Sequence, residues 1–357
     1  MKIAILGNAA SIHIIRWANG LVERGLTVHV ISAHKAAGGF DPRVNLHELK
    51  KKAPLGYVLA AFELKKLLKT IRPNVLNAHY ATGYGLLARS SGFKPLLLSV
   101  WGSDIYLFPK KTIFHRALLR GNLNAATAVA STSLCMSKAV REDFGRGAIF
   151  ITPFGINEND FAPSKIMRQG SAVVVGTVKS LKHEYGIDTL IKAFSISLND
   201  WGNDVSLHLE ITGAGVELDN LKALVEKLGI SSKVTFHGHV PHSKVPAMLE
   251  RLDIYVALSR SESFGVAILE ASACEKPVVV SDADGPAEVT INETTGLIVK
   301  KDDPIAAAEA ISRLIGDANL RIAMGRAGRA HVLNNYSWTR SVELMLRAYE
   351  QVSEFKN

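Results

Sequence analysis

Short apolar runs recur along the whole chain, with helix-like stretches between them. In the first half the runs fall at 2–6, 27–31, 75–78, 96–100, 127–130 and 148–151. They are rich in Val, Ile and Leu and do not alternate strictly with polar positions, as parallel strands buried on both faces require. Stretches such as 12–24 and 57–71 predict helices. Strand–helix alternation of this kind predicts a doubly wound α/β sheet. The pattern then restarts. Segment 152–169 carries connector signals in Pro153, Phe154-Gly155 and Pro163. New strands are predicted at 172–178, 206–212, 233–236, 254–258 and 277–281. The expected organisation is therefore a Rossmann-like domain over 1–164 and a second over 165–336. In 337–357, Val342, Leu346, Tyr349 and Val352 lie near helical spacing and predict a terminal helix.

Composition adds limits. The 357 residues are 47% hydrophobic and 21% charged, an ordinary globular balance for two domains. No run of about 18 uncharged apolar residues predicts a membrane span. The start, M-K-I-A-I-L-G, reads as a strand and not as a signal peptide. Cys135 and Cys274 are far apart in no metal-like spacing, which predicts a reducing cytosolic setting. Charge is uneven: residues 1–165 carry +13 and residues 166–357 carry −4. A basic half suggests an anionic partner, nucleic acid or an anionic membrane surface; solvated charge without a partner is the plain alternative.

Neither half has G-x-G-x-x-G after its first strand; the first ends in Gly7-Asn8-Ala9-Ala10-Ser11. This weakens a dinucleotide dehydrogenase. The most informative segment is S-R-S-E-S-F-G-V-A-I-L-E, residues 259–270. Phe264-Gly265 should open a helix running to about Cys274, whose free N-terminal N–H groups at 264–267 could receive a diphosphate. Glu262 precedes that helix and Glu270 lies nearly two turns into it. Two acids so placed can accept from a sugar at one end of a ligand and a ribose at the other. The bland reading is a core helix with two surface acids.

Glu262-x7-Glu270 with Phe-Gly inside it resembles the signature of glycosyltransferase family 4, a large group of retaining GT-B enzymes. The likeness continues through Ala271–Val278 as A-S-A-C-E-K-P-V, then G-P-A-E-V at 285–289 and T-G-L-I-V at 295–299. Upstream, I-T-G-A-G at 211–215, V-T-F-H-G at 234–238, W-G-S-D at 101–104 and P-F-G-I-N at 153–157 fit in the same order. The resemblance implies a GT-B fold, two Rossmann-like doubly wound domains facing across a cleft, with the tail helix packing back on the N-terminal domain. It implies that Glu262 contacts donor-sugar hydroxyls and Glu270 the ribose. Backbone around Ser263, Phe264, Gly265, Val266 and Ala267 would hold the diphosphate and sugar. Gly213 and Gly215 would let the chain pass close to the nucleotide, and His239 and Val240 would border the base. Gly7 and Asn8 would approach the diphosphate from the other domain. The donor implied is a UDP-sugar ahead of a GDP-sugar, used without a metal or other cofactor.

The chain departs from the family pattern in V-G-T-V-K-S-L-K-H-E-Y-G. Ser180 falls where the family has Arg and Tyr185 where it has Lys. Negative charge on a leaving diphosphate needs cationic or helix-dipole stabilisation, so Lys182, with Lys179 beside it, is the expected source. Trp101 stands where many members have His, which leaves Asp104 as the catalytic candidate on the acceptor side. His13, Arg16 and His79 are further acceptor-binding candidates, with satisfied structural histidines as the alternative. Asp282-Ala283-Asp284 resembles a metal-binding D-x-D, and His237, His239 and His242 suggest zinc; neither is expected to hold a metal, the histidines because no fourth ligand is near.

Lys50-Lys51-Lys52 precedes a stretch in which Leu55, Leu59, Phe62 and Leu67 mix with Lys65, Lys66 and Lys69. With Arg72 and the loop Phe108-Pro109-Lys110-Lys111, it could rest on anionic lipid; a normal amphipathic helix is the alternative. The function expected is transfer of a hexose to a lipid-linked or oligosaccharide acceptor in surface polysaccharide or glycolipid synthesis, in the cytoplasm at the inner face of the cell membrane. A GT-B-fold sugar-nucleotide epimerase is the rival enzyme reading. A basic nucleic-acid-binding module is the rival class, but no nucleic-acid recognition motif is present, so nucleic acid is not an expected partner.

Overall fold

The computed structural model describes residues 1–163, 172–201 and 204–355, and its most apolar runs become the central strands of two all-parallel sheets. The first contains β1 (Lys2–Leu6), β2 (Thr27–Ser32), β3 (Asn45–Glu48), β4 (Val75–His79), β5 (Leu96–Val100), β6 (Ala128–Ser131) and β7 (Ile149–Ile151). Their order is β3-β2-β1-β4-β5-β6-β7. Every position of β4, β5 and β6 is buried, which explains their near-continuous apolar sequence. The second sheet contains β8 (Val173–Val178), β9 (Leu207–Thr212), β10 (Val234–Gly238), β11 (Ile254–Ala257), β12 (Val278–Ser281) and β13 (Gly296–Val299). Its order is β10-β9-β8-β11-β12-β13.

Strand order reverses beside the first strand of each sheet. β1 lies between β2 and β4, and β8 lies between β9 and β11. In open α/β sheets the crevice beyond the carboxyl ends of the strands at such a reversal is where ligands bind. The residues after β1 and β4 in one sheet, and after β8 and β11 in the other, are therefore placed for chemistry.

Two strands are absent from the sequence expectation. β3 is the polar string N-L-H-E, mostly exposed, and becomes a strand by pairing along β2, His29 opposite Asn45. β13 is only G-L-I-V, held by pairing with β12. The helix expected over 57–71 is two, Gly56–Leu59 and Ala61–Ile71, broken at the fully buried Ala60. The expected helix at 12–24 forms as Ile12–Glu23.

By compactness the chain divides into one unit of Met1–Phe154 with Thr339–Asn357 and another of Gly155–Trp338. The boundary near 165 and most of the connector's later part lie outside the described residues. The division falls earlier for a packing reason. Phe154 stacks on His13 at 4.1 Å between ring centroids, whereas Ile156 pairs with Ser337. The last helix, Trp338–Glu354, buries Val342, Met345, Tyr349 and Val352. Asn77 of β4 donates to the Tyr349 hydroxyl at 2.8 Å, and Ser99 of β5 donates to the Asn77 carbonyl oxygen at 2.8 Å. Among the described residues no helix is long and apolar enough to cross a membrane.

Candidate functional site

In the second unit the chain leaving β8 meets the chain leaving β11. Lys179 extends the β8 ladder, its N–H donating to the Thr212 carbonyl at 2.9 Å. Its ammonium forms an ion pair with Glu262. The other Glu262 oxygen accepts from the Ser259 hydroxyl at 2.7 Å. The Tyr185 ring lies under the ammonium, 4.5 Å to the centroid, a cation–π contact that holds the lysine from a third side. Burial alone would lower the Lys179 pKa, but the charge and hydrogen bond of Glu262 outweigh it and the net shift is upward. A fixed cation thus sits at the reversal of strand order.

The sequence expectation favoured Lys182, whereas it is Lys179 that meets Glu262. Lys182 has a side chain 52% exposed and lies 3.8 Å from Glu184, while Lys179 is 15% exposed. Lys182 has already left the strand and caps the short turn His183–Tyr185. Ser180, at the position of the family's Arg, is exposed.

After Glu262 the chain enters the helix Val266–Ala273 through Gly265, whose φ of 114° is one that side chains rarely adopt. Ile268 and Leu269 donate to the Gly265 carbonyl at 3.0 and 3.1 Å, so the N–H groups of Val266 and Ala267 are those without an acceptor in the helix, at the end of its dipole that favours an anion. Val266 and Ala267 are half-buried there, as is Ser263, but Phe264 is buried against Tyr336, 5.7 Å between rings, so its side chain is core. Gly285 supports the same loop from behind. Its N–H donates to the Glu262 carbonyl at 3.1 Å, and a Cβ there would lie 2.4 Å from the Phe264 nitrogen.

Glu270 is buried in this helix and accepts from or pairs with His242 at 2.9 Å. His237 is tied to Glu210 at 3.1 Å and His239 is exposed, so the three histidines go to different places. Val240 is half-buried beside His239. Asp282 accepts from the Lys301 N–H at 2.9 Å. Among the described residues no group of three or more His, Cys, Asp or Glu comes together to hold a metal. Gly213 and Gly215 serve backbone packing more directly than expected: a Cβ on either would lie 1.9 Å or 2.1 Å from the carbonyls of Lys179 and Leu181. They seat the loop after β9 against the segment that carries Lys179.

In the first unit, residues after β1, β4 and β5 enclose a cavity of about 260 Å³ lined by Asn8, His34, Tyr57, His79, Tyr84 and Trp101, among others. Gly7 precedes it at the end of β1, where a Cβ would meet the Ile14 side chain at 2.7 Å. His13, His79 and Phe154 surround Trp101, with ring centroids 5.4, 5.5 and 5.5 Å from it. Arg16 is half-buried one turn after His13. His79 is buried with neither ring nitrogen hydrogen-bonded. Burial first, and then His13, pull its pKa down to about 3, so it is neutral at physiological pH.

Asp104 is corrected outright as a catalytic or acceptor-binding acid. It is fully buried, and its carboxylate accepts from the N–H groups of Ala81, Trp101 and Gly102 at 2.9, 3.1 and 2.8 Å. Burial pushes its pKa up against the pull of those donors. It clamps the turn after β5 to the turn after β4 and has no surface to offer a substrate. Three contributors escaped the sequence reading: Ser259, Gly285 and the Tyr84–His34 contact at 2.7 Å that shapes the cavity wall. Ser259 left a signal in its three-residue spacing from Glu262, and Gly285 in the G-P-A-E-V segment, though neither was given a role.

Known proteins share this fold. The model of the family described as glycosyl transferases group 1 matches residues 159–331, and that of glycosyl transferase 4-like matches residues 2–133. The GDP-mannose-dependent alpha-(1-6)-phosphatidylinositol monomannoside mannosyltransferase of Mycolicibacterium smegmatis is 30% identical, over 73% of this chain and 71% of the relative. Among solved structures, sucrose-phosphate synthase from Thermosynechococcus elongatus superposes with a TM-score of 0.84 at 19% identity, covering 100% of both chains. Anabaena Alr3699/HepE in complex with UDP and glucose superposes at 0.81 and 19% identity, covering 98% of this chain and 100% of that one.

Proposed function

We propose a specific reaction for this chain, which belongs to the glycosyltransferase 4-like group of GT-B glycosyltransferases: it moves a hexose from a nucleoside-diphosphate sugar to a hydroxyl of a lipid-linked saccharide, with retention at the anomeric carbon and without a metal ion. The observation that carries this reading is the Lys179–Glu262 pair beside the helix opened by Gly265. The acceptor oxygen attacks the anomeric carbon on the face from which the diphosphate departs. The sugar–phosphate bond breaks, and a phosphate oxygen of the leaving diphosphate takes the acceptor's proton. Lys179 and the helix N-terminus balance the charge that develops on that diphosphate, the role a metal would otherwise fill. Glu262 receives donor-sugar hydroxyls and Glu270 the ribose. The acceptor hydroxyl is bound in the first unit, near His13, Arg16 and the His79 cavity.

Both bases remain in play for the donor. The mannosyltransferase relative is named for GDP-mannose, and the HepE structure holds UDP with glucose. The lipid-linked acceptor is supported by the +13 charge of residues 1–165. It is also supported by the exposed Leu55, Val58, Leu59 and Phe62 next to Lys51, Lys52 and Lys66. Such a face would dock reversibly on an anionic inner-membrane surface. The test is a panel of nucleotide-sugars read by thermal shift, followed by turnover in excess chelator and product analysis by NMR. The expected result is stabilisation by one UDP- or GDP-hexose, undiminished turnover in chelator and an axial or equatorial linkage matching the donor. Loss of activity in chelator restored by Mn²⁺ would remove the metal-free mechanism, and an inverted product would remove retention.

A further inference from the structure

A second concavity of the first unit lies at the opposite rim of its sheet from the cavity at His79. It has a volume of about 740 Å³. It is bounded by the end of the helix Ala61–Ile71, the turn leading into β4 and the turn leading into β5. It therefore sits at the amino ends of β4 and β5, whereas His79 and Trp101 follow their carboxyl ends. The donor and acceptor chemistry proposed above makes no use of it.

Its lining has one sign of charge. Among the described residues, Lys65, Lys69, Arg72 and Lys94 border it and no carboxylate does; the Lys94 ammonium also donates to the Ala125 carbonyl. Like charges gathered around one concavity repel, and a bound anion relieves that repulsion. The remaining walls are apolar, with Leu68, Phe93 and Phe355 among them. Phe355 is 59% exposed. The helix continues the same chemistry outward. Phe62 lies three and seven residues before Lys65 and Lys69, on the same helical face, and is 82% exposed. A soluble phosphate compound has no use for an aromatic side chain held in water beside its site; a lipid does, because its acyl chains cover it.

From these observations we infer that the concavity is a headgroup site for an anionic phospholipid. The phosphate is held by Lys65, Lys69, Arg72 and Lys94, and the first acyl carbons lie along Phe93 and Phe355. The inference rests on the membrane docking proposed above and makes it selective, because a shaped basic site distinguishes a headgroup where a flat basic face responds only to charge.

The probe is water-soluble dihexanoyl phosphatidylglycerol, with dihexanoyl phosphatidylcholine and inorganic phosphate as comparisons, titrated by calorimetry into the full chain. The wild type should bind the phosphatidylglycerol at least about tenfold more tightly than either comparison, as several basic side chains acting together allow. Lys65→Ser, Lys69→Ser, Arg72→Ser and Lys94→Ser combined should abolish that preference while leaving the melting temperature and nucleotide-sugar affinity unchanged. Phe62→Ser with Lys51→Ser and Lys52→Ser should weaken association with vesicles of phosphatidylglycerol and phosphatidylcholine yet keep binding of the soluble lipid. Equal affinity for inorganic phosphate and phosphatidylglycerol would reduce the site to an anion patch and overturn the inference. So would unchanged phosphatidylglycerol binding by the fourfold variant. If that variant loses the soluble lipid but still associates with the vesicles, the headgroup site stands and docking is carried elsewhere. Failure of the wild type to associate with anionic vesicles at all would overturn the docking reading and the lipid source with it.

Discussion

A lysine locked to a carboxylate keeps its charge where a free one starts to lose it. The pKa of Lys179 is raised by Glu262 against the opposing effect of burial. A raised lysine stabilises the fold fully below its unfolded value and loses that contribution only as pH climbs through its folded value. The unfolded value is already 10.5, so Lys179 remains cationic throughout the range in which activity is assayed. Replacing it by Ala should lower kcat by about 10²–10³, the usual cost of losing one charge-stabilising group. Lys182→Ala should change kcat by no more than about fivefold, because an exposed pair is worth about 0–1 kcal/mol. Steady-state rates at saturating donor decide between them, and the reverse ranking would move the diphosphate to Lys182. His79 makes the opposite pH argument. Its folded pKa is about 3 against 6.5 when unfolded, so between those values the unfolded state binds more protons. Stability should therefore fall as pH drops below 6.5. His79→Gln should flatten the decline in melting temperature between pH 6.5 and pH 4, and an unaltered acid limb would assign it to other groups.

At the level of elements, single residues hold the turns that shape each unit's candidate site. Asp104 ties the turns after β4 and β5 together through three backbone donors. Asp104→Asn puts an amide, itself a donor, where an acceptor is needed. It should destabilise by about 1–3 kcal/mol, the cost of an unsatisfied buried group. Urea titration would show this as a lowered midpoint, whereas a loss of turnover with unchanged stability would restore Asp104 to the chemistry. Gly285→Ala forces a Cβ against the backbone of Glu262 and Phe264, which cannot yield as a flexible side chain would. Nucleotide affinity should fall by roughly tenfold, one backbone misplacement beside charged hydrogen bonds worth about 1.5–3 kcal/mol; calorimetry with UDP and GDP checks it. The helix starting after Gly265 and most central strands were legible beforehand, because burial on both faces leaves a continuous apolar run. The edge strand β3 was not, because its polar residues pair only when β2 presents an open edge.

Over the whole molecule, the last helix belongs to the first unit although it follows the second in the chain. Tyr349→Phe removes the acceptor of the buried Asn77 amide, at a cost of about 1–3 kcal/mol. Nucleotide binding should stabilise the second unit by mass action. Calorimetric melting should therefore show the mutation and the nucleotide acting on different transitions; a single transition shifted by both would show that the units unfold together. The amino-acid sequence by itself determined two doubly wound parallel sheets, the tail helix and the segment around Glu262 and Glu270. Those features rest on local apolar periodicity, on glycine where φ is positive and on an ordered series of motifs. Tertiary structure alone decided which lysine meets Glu262, since that contact joins residues 83 apart. It also decided that Asp104 is a clamp, that Gly213 and Gly215 pack on backbone and that the units divide at Phe154. Each of those outcomes depends on what lies opposite a side chain in space, and local spacing along a chain does not encode its distant neighbours.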